Sequence, residues 1–259
     1  MEAADESSPY WKRERVSFNA AYANERVPAY LFIPRNASPP YQAIICVPGA
    51  DIVYVSSFDQ VSLSLYDFLI KSGRAVLFPI FHNTYGERRV GHGGGMSGFR
   101  DRCIQLTKDF RRSVDYLETR PDIDHVRLGF DDLSWGAEFG IPLLALERRV
   151  KAAVLVGGGL GDNNWPPEIN FLNFAPRITM PLLMINGRYD FLMDYPYQLR
   201  LFREVGTPAK DKRHAVFEAG HLPARNDIIK ETLDWLDRYL GPVNQAGPDA
   251  STKTSSHSP

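Results

Sequence analysis

Two stretches of alternating apolar and polar residues open the chain, "RVSFNAAY" (15–22) and "RVPAYLFIP" (26–34), with Ala23, Asn24 and Glu25 between them. Alternation with period two marks strands that bury one face, and the three-residue gap predicts an antiparallel hairpin. The pattern then changes. "QAIICVP" (42–48) is apolar almost throughout, as a strand covered on both faces must be. Behind it Phe58, Val61, Leu65, Phe68 and Leu69 fall on one stripe, which predicts a helix ending at Gly73.

The same grammar repeats downstream. "RAVLFPI" (74–80) reads as a strand and is followed by a glycine-rich loop. Cys103, Leu106, Phe110, Val114 and Leu117 mark the inner face of a long helix that stops before Pro121. "VRLGF" (126–130) is the next strand, with a helix from about Ser134 to Glu147 behind it. "AAVLV" (152–156), "PLLMI" (181–185) and "HAVFE" (214–218) are further strands, and Ile229, Leu233, Leu236 and Leu240 put a final helix in step. Strands alternating with helices predict an α/β fold. Its sheet is mostly parallel and twisted, about eight strands wide, opened by the antiparallel hairpin and covered by helices on both faces. Only about 25 residues separate "AAVLV" from "PLLMI", which leaves room for little or no lid.

Neither end has much to bury. Residues 1–10 read as a linker, 11–241 as one α/β domain, and 242–259, "PVNQAGPDASTKTSSHSP", as a disordered tail. Composition mainly removes alternatives. With 30 Lys and Arg against 31 Asp and Glu, and no dense basic cluster, the chain offers no footprint for nucleic acid or anionic lipid. A small-molecule or peptide partner is expected instead. The acidic, polar N-terminus is unlike a secretory signal, and no apolar run reaches the roughly 18 residues of a membrane helix. Two cysteines make neither a disulfide framework nor a zinc site. The expectation is a cytoplasmic protein with buried free thiols at Cys46 and Cys103.

The chemistry concentrates in "GFDDLSWGAEFG" (129–140) and two later loops. Ser134, Trp135 and Gly136 stand where the strand "VRLGF" gives way to a helix. A serine on such a turn has its hydroxyl lifted above the sheet, and the next N–H, that of Trp135, points at a developing oxyanion. Gly136 lets the new helix pass close to the strand. Taken alone, Ser134 would serve equally as a helix N-cap. Chain order adds weight to the first reading. Asp190 follows the strand "PLLMI" and His221 follows "HAVFE", both at C-terminal strand ends, where open α/β sheets carry their sites. Ser134, Asp190 and His221, spaced by 56 and 31 residues, stand in the Ser-acid-His order of one recurring catalytic triad. The imidazole would take the hydroxyl proton, and the carboxylate would fix its tautomer. Asp194 is a rival acid four residues later, where helix capping also explains it.

Two features break the pattern. A nucleophile turn of the form Gly-x-Ser-x-Gly has glycine where this chain has Asp132. An ionised carboxylate roughly 6 Å from the oxyanion would oppose its charge by about 3 kcal/mol at an effective dielectric of 20. That is about a hundredfold in rate. Protonation by burial, a local hydrogen-bond donor, or a side chain turned away would each soften this. The second oxyanion donor is expected from "VPGADIVY" (47–54), where Pro48 and Gly49 make the turn and Ala50, or Asp51, offers the N–H. Asp51, Tyr85, Asp132, Trp165 and Phe191 are expected around a substrate pocket. "GHGGG" (91–95) has the look of an oxyanion motif, but it falls too late in the chain and reads as a loop near the pocket mouth. Six histidines, His82 and His92 among them, show no metal-ligand spacing, so neither metal nor cofactor is expected.

These residues resemble the α/β-hydrolases of the dienelactone-hydrolase and prolyl-oligopeptidase-like branch. The resemblance is greater to the hydrolase domain fused to some bacterial serine/threonine protein kinases. It runs from about Tyr10 to Pro242 through "ETRPDID", "LSWGA", "PLLMINGRYDF" and "HAVFEAGHLPARNDIIKETLDWLDRYLG". It implies Ser134, Asp190 and His221 as the triad, and a kinase domain in a parent polypeptide. The family's oxyanion loop usually reads Pro-Gly-Ser-Gly where this chain has Pro48, Gly49, Ala50 and Asp51. A serine carboxylesterase for small to medium acyl esters is therefore expected. Its rivals are a peptidase using the same chemistry and an impaired hydrolase kept as a binding or regulatory module. Oligomeric state is not readable from the sequence.

Overall fold

The structure is a computed structural model that describes residues 1–82, 84, 88, 94–162 and 165–245. The alternating segments form the expected hairpin. Strand β2 (Trp11–Asn19) pairs antiparallel with β3 (Arg26–Pro34), from Trp11 opposite Pro34 to Asn19 opposite Arg26. Ala23 and Asn24 turn the corner with φ near 52° and 51°. Val16, Phe18, Val27, Ala29 and Leu31 are buried, as period-two patterning requires. A short strand β1 (Ala3–Asp5) adds to the outer edge of β2, so part of the stretch read as a linker is sheet edge. The Asp5–Arg13 ion pair and the bond from the Ser17 hydroxyl to Glu2 hold it there. Contacts of that polar kind leave no hydrophobic signature in the sequence.

Strands β4 (Tyr41–Ile45), β5 (Ala75–Pro79), β6 (Ile123–Leu133), β7 (Val150–Val156), β8 (Leu182–Gly187) and β9 (Lys212–Phe217) complete the sheet. Its order is β1-β2-β3-β5-β4-β6-β7-β8-β9, antiparallel as far as β5 and parallel from there to β9. Helices α1 (Asp67–Lys71) and α5 (Arg225–Leu240) bury Leu69, Ile70, Leu236 and Leu240 against one face. Helices α2 (Gly95–Glu118), α3 (Trp135–Leu146) and α4 (Tyr195–Glu204) cover the other, burying Phe110, Val114, Ile141 and Leu201. This is the α/β-hydrolase architecture. From β4 the chain crosses to β5 on one side and then returns to β6 on the other. The C-terminal ends of β4 and β6 therefore lie side by side at a topological switch point, where such sheets open a crevice.

Two expected elements differ. In place of one helix over 58–73 there are two 3-10 turns, Phe58–Gln60 and Leu63–Leu65, leading into the short α1. Ser56, Ser57, Asp59, Ser62 and Ser64 crowd this segment, and residues of these types are weaker helix formers than Ala or Leu. The Gln60 side chain accepts the Ser56 N–H at 2.7 Å, a local bond outside any helix. The apolar stripe is used all the same: Phe58 is buried and stacks on Tyr30 with ring centroids 4.2 Å apart. At the other end, residues 242–245 run back along 37–40 rather than into a disordered tail. The Gln42 amide donates to the carbonyls of Gly241 and Pro242, and Ser38 N–H to that of Asn244. The rest of that tail lies outside the described residues. Among the described residues no helix is long and apolar enough to cross a membrane, and Cys46 and Cys103 are buried free thiols.

Candidate active site

The turn between β6 and α3 holds an unusual backbone conformation. Ser134 has φ 56° and ψ −118°, outside the regions that a residue with a Cβ normally occupies. Such strain persists only when the surroundings enforce it, and it concentrates at functional sites. Here the Ser134 N–H donates to the Val156 carbonyl of β7 at 2.7 Å, and its carbonyl accepts the Glu138 N–H at 3.0 Å. The residue is thus tied to the neighbouring strand and to the helix it starts. Gly136 is dictated by space: a Cβ there would lie 1.6 Å from the Val47 carbonyl oxygen and 2.7 Å from the Asp132 carboxyl.

The structure brings the three residues singled out by chain order into hydrogen-bonding contact. His221 Nε2 stands 2.8 Å from Ser134 Oγ, and Nδ1 stands 2.8 Å from Asp190 Oδ2. Asp190 Oδ1 accepts the N–H groups of Leu192 at 2.8 Å and Met193 at 3.0 Å, so the carboxylate is fixed in rotation. Its side chain is fully buried, while that of His221 is 17% exposed at the crevice. Facing a carboxylate, Nδ1 carries the proton and Nε2 is left as the acceptor toward the hydroxyl. Gly157, at φ 65°, packs under the imidazole, and a Cβ on it would stand 3.1 Å from His221 Cε1. The rival acid Asp194 is the N-cap residue of α4, and the His221 Nδ1 is taken by Asp190.

The loop after β4 closes over this turn. The β4–β6 ladder ends at Ile45 opposite Phe130, and Cys46 N–H turns to the Leu77 carbonyl of β5 at 2.9 Å. Val47 N–H then donates to the Asp132 carboxyl. Ala50 opens a 3-10 turn (Ala50–Val53), and Trp135 opens α3. Each N–H begins a helical turn, where no earlier turn supplies an acceptor. Asp132 itself is only 1% exposed, its carboxyl set against Gly136 and the Val47 N–H, and it does not line the cavity beside Trp135. Burial pushes its carboxyl well above the usual carboxylate range, against the pull of the Val47 N–H. A rise in this direction favours the uncharged form and so lessens the penalty expected for an ionised carboxylate.

A cavity of about 230 Å³ opens beside Trp135, walled by Val53, Phe81, Phe99, Leu106 and Phe139, with His82, Thr84 and Arg102 among its polar groups. That volume exceeds the roughly 150 Å³ that accommodates a benzene ring. Of the expected pocket residues, Phe191 is 77% exposed beside Asp190 rather than in this cavity. Trp165 packs edgewise on Phe171 at 5.0 Å and tilted on Phe99 at 5.1 Å, one layer behind the wall. Tyr85, His92 and the Asp51 side chain lie outside the described residues. The sequence reading missed Phe99, although it continues the stripe of Cys103 and Leu106 toward the N-terminus of α2 at helical spacing. Phe81 comes from a loop and Val53 from the end of a single 3-10 turn, neither of which carries a periodicity.

The chain matches no protein-family model and no curated protein. Solved structures do resemble it. A cold-adapted esterase from an Arctic intertidal metagenomic library superposes with a TM-score of 0.69 at 20% identity, covering 91% of this chain and 97% of that one. An acetyl xylan esterase from Paenibacillus sp. R4 gives 0.71 at 15% identity, covering 92% and 87%. A structure described as a putative dipeptidyl aminopeptidase IV from Bacteroides ovatus gives 0.72 at 17% identity, covering 90% of this chain but 36% of that one. Identities this low speak for the fold, which is that of the α/β-hydrolases. They do not single out the dienelactone-hydrolase and prolyl-oligopeptidase-like branch.

Proposed function

We propose that this chain is a serine carboxylesterase for small to medium acyl esters. The observation that carries the reading is the run of hydrogen bonds from Asp190 through His221 to Ser134 Oγ, on a serine held at φ 56°. His221 Nε2 takes the Ser134 proton as Oγ attacks the ester carbonyl carbon. The carbonyl oxygen becomes an oxyanion facing the N–H groups of Trp135 and Ala50. On collapse the C–O bond to the alcohol breaks, the imidazolium protonates the leaving alkoxide, and an acyl-Ser134 remains. Water, deprotonated by His221, then releases the acid and regenerates the hydroxyl.

An ester is favoured over a peptide by the extent of the structural likenesses. The esterase from the Arctic library is covered over 97% of its length, whereas nearly two thirds of the peptidase-like protein have no counterpart in this chain. The 230 Å³ cavity sets the acyl size, with Trp135 joining it to the serine. The kinase link rests on the sequence resemblance alone, and no feature of this site depends on it. Purified protein is expected to hydrolyse p-nitrophenyl acetate and butyrate, with Ser134→Ala losing the activity. A wild type inactive on both, or a Ser134→Ala variant as active as wild type, would overturn the reading.

A further inference from the structure

We infer that Asp132 is a positioning residue, whose carboxyl holds the oxyanion loop against the nucleophile turn by accepting the Val47 N–H. The inference rests on the hydrolase reading of the site. It inverts the expectation drawn from the sequence, in which Asp132 stood as a defect in the turn.

Register shows why an acceptor is needed at this point. Strands β4 and β6 run in parallel up to the pair Ile45 and Phe130, and continuing that register sets Val47 opposite Asp132. The main-chain ladder stops short of this pair, because β6 bends into the Ser134 turn and β4 into the Pro48–Gly49 corner. Val47 is fully buried, so water cannot take over its N–H. The Asp132 carboxyl stands in for the missing ladder carbonyl. Its second oxygen stays local, 3.3 Å from the Leu133 N–H.

Val47 is held from its other side as well. Its carbonyl oxygen occupies the space that a Cβ on Gly136 would need, and the Asp132 carboxyl borders the same space. Asp132, Val47 and Gly136 therefore form one packed unit, with Val47 three residues before Ala50 and Gly136 one after Trp135. These two flanking residues supply the N–H groups assigned to the oxyanion. Their separation is set by how β4's end sits on β6's end, and the Asp132 carboxyl fastens that seam. Burial pushes the carboxyl above the usual carboxylate range, against the pull of the Val47 and Leu133 N–H groups, and so reduces the charge it places beneath the oxyanion. A glycine at 132 would satisfy the usual pattern of the turn and leave the Val47 N–H with no acceptor.

The test compares Asp132→Asn, Asp132→Gly and Asp132→Ala with wild type on p-nitrophenyl butyrate, with melting curves for each. It adds amide hydrogen exchange of Val47 in the wild type. Asparagine keeps an acceptor of the same shape, and kcat is expected within about threefold of wild type. Glycine and alanine are expected to lose about tenfold to hundredfold in kcat with KM little changed, as a displaced oxyanion donor would give. The Val47 amide is expected to exchange slowly. Undiminished or improved turnover by Asp132→Gly overturns the inference, as does equal loss in the asparagine and glycine variants. Rapid exchange of Val47 in folded wild type overturns it even if the glycine variant does not fold. A wild type inactive on every ester, with Val47 still protected, would instead sink the hydrolase reading and the positioning role with it.

Discussion

Asparagine at position 190 would remove one charge and leave the shape of the relay in place. Asp190 Oδ1 accepts two backbone N–H groups, those of Leu192 and Met193. An asparagine must keep its amide oxygen there, which turns its NH2 toward His221 Nδ1 in place of Oδ2 at 2.8 Å. An NH2 can only donate, so Nδ1 gives up its proton and Nε2, facing Ser134 Oγ, acquires one. The imidazole then holds a proton where it has to accept one. The lost attraction between a carboxylate and an imidazolium about 2.8 Å apart is about 6 kcal/mol at an effective dielectric of 20. That corresponds to roughly 10⁴ in rate, the same scale as the loss known for this exchange in serine proteases. The assay is kcat for p-nitrophenyl acetate at neutral pH, with the melting temperature as a check on folding. An Asp190→Asn variant that melts with wild type and keeps more than about a tenth of kcat would refute the assignment of Asp190.

Two further outcomes follow from the cavity and from the buried acids. Val53 is 39% exposed on the wall of the 230 Å³ cavity, so Val53→Trp fills space without unpacking the core. Hydrolysis of p-nitrophenyl octanoate is expected to fall by about tenfold or more while acetate stays within about threefold. Equal loss on both esters would show that the acyl group does not sit there. Asp131 is buried beside Asp132 with Oδ1 unpartnered, and burial pushes its carboxyl up to about 7. Between its unfolded value of 3.8 and about 7, the folded protein binds the proton that the unfolded chain has released. Stability therefore falls as pH rises through that window, by up to about 4 kcal/mol. Asp131→Asn is expected to melt higher than wild type at mildly alkaline pH and close to it near pH 4. Parallel melting curves across the whole range would contradict this.

How far the sequence could be read depended on the kind of force at work. Strands β4 to β9 and helices α2, α3 and α5 were legible because each buries an apolar face whose period survives in the sequence. Ser134, Asp190 and His221 were legible because parallel strands deliver their ends to one crevice, so three separate loops converge in a fixed chain order. The 58–73 segment was misread because its apolar stripe is real, but the chain there runs through two 3-10 turns in a serine-rich stretch rather than one helix. Asp132 was read as an obstacle because its partner, the Val47 N–H, is a backbone group 85 residues away. No side-chain pattern announces a backbone donor left over where a ladder ends.

The central claim is that Ser134 is the nucleophile of a working relay, and covalent labelling tests it most directly. Treatment with a fluorophosphonate, followed by intact mass measurement and peptide mapping, is expected to give a single adduct on Ser134. Ser134→Ala should remain unmodified, and His221→Ala should label far more slowly. Unmodified wild-type protein, under conditions that label a control esterase, or an adduct on another residue would contradict the account.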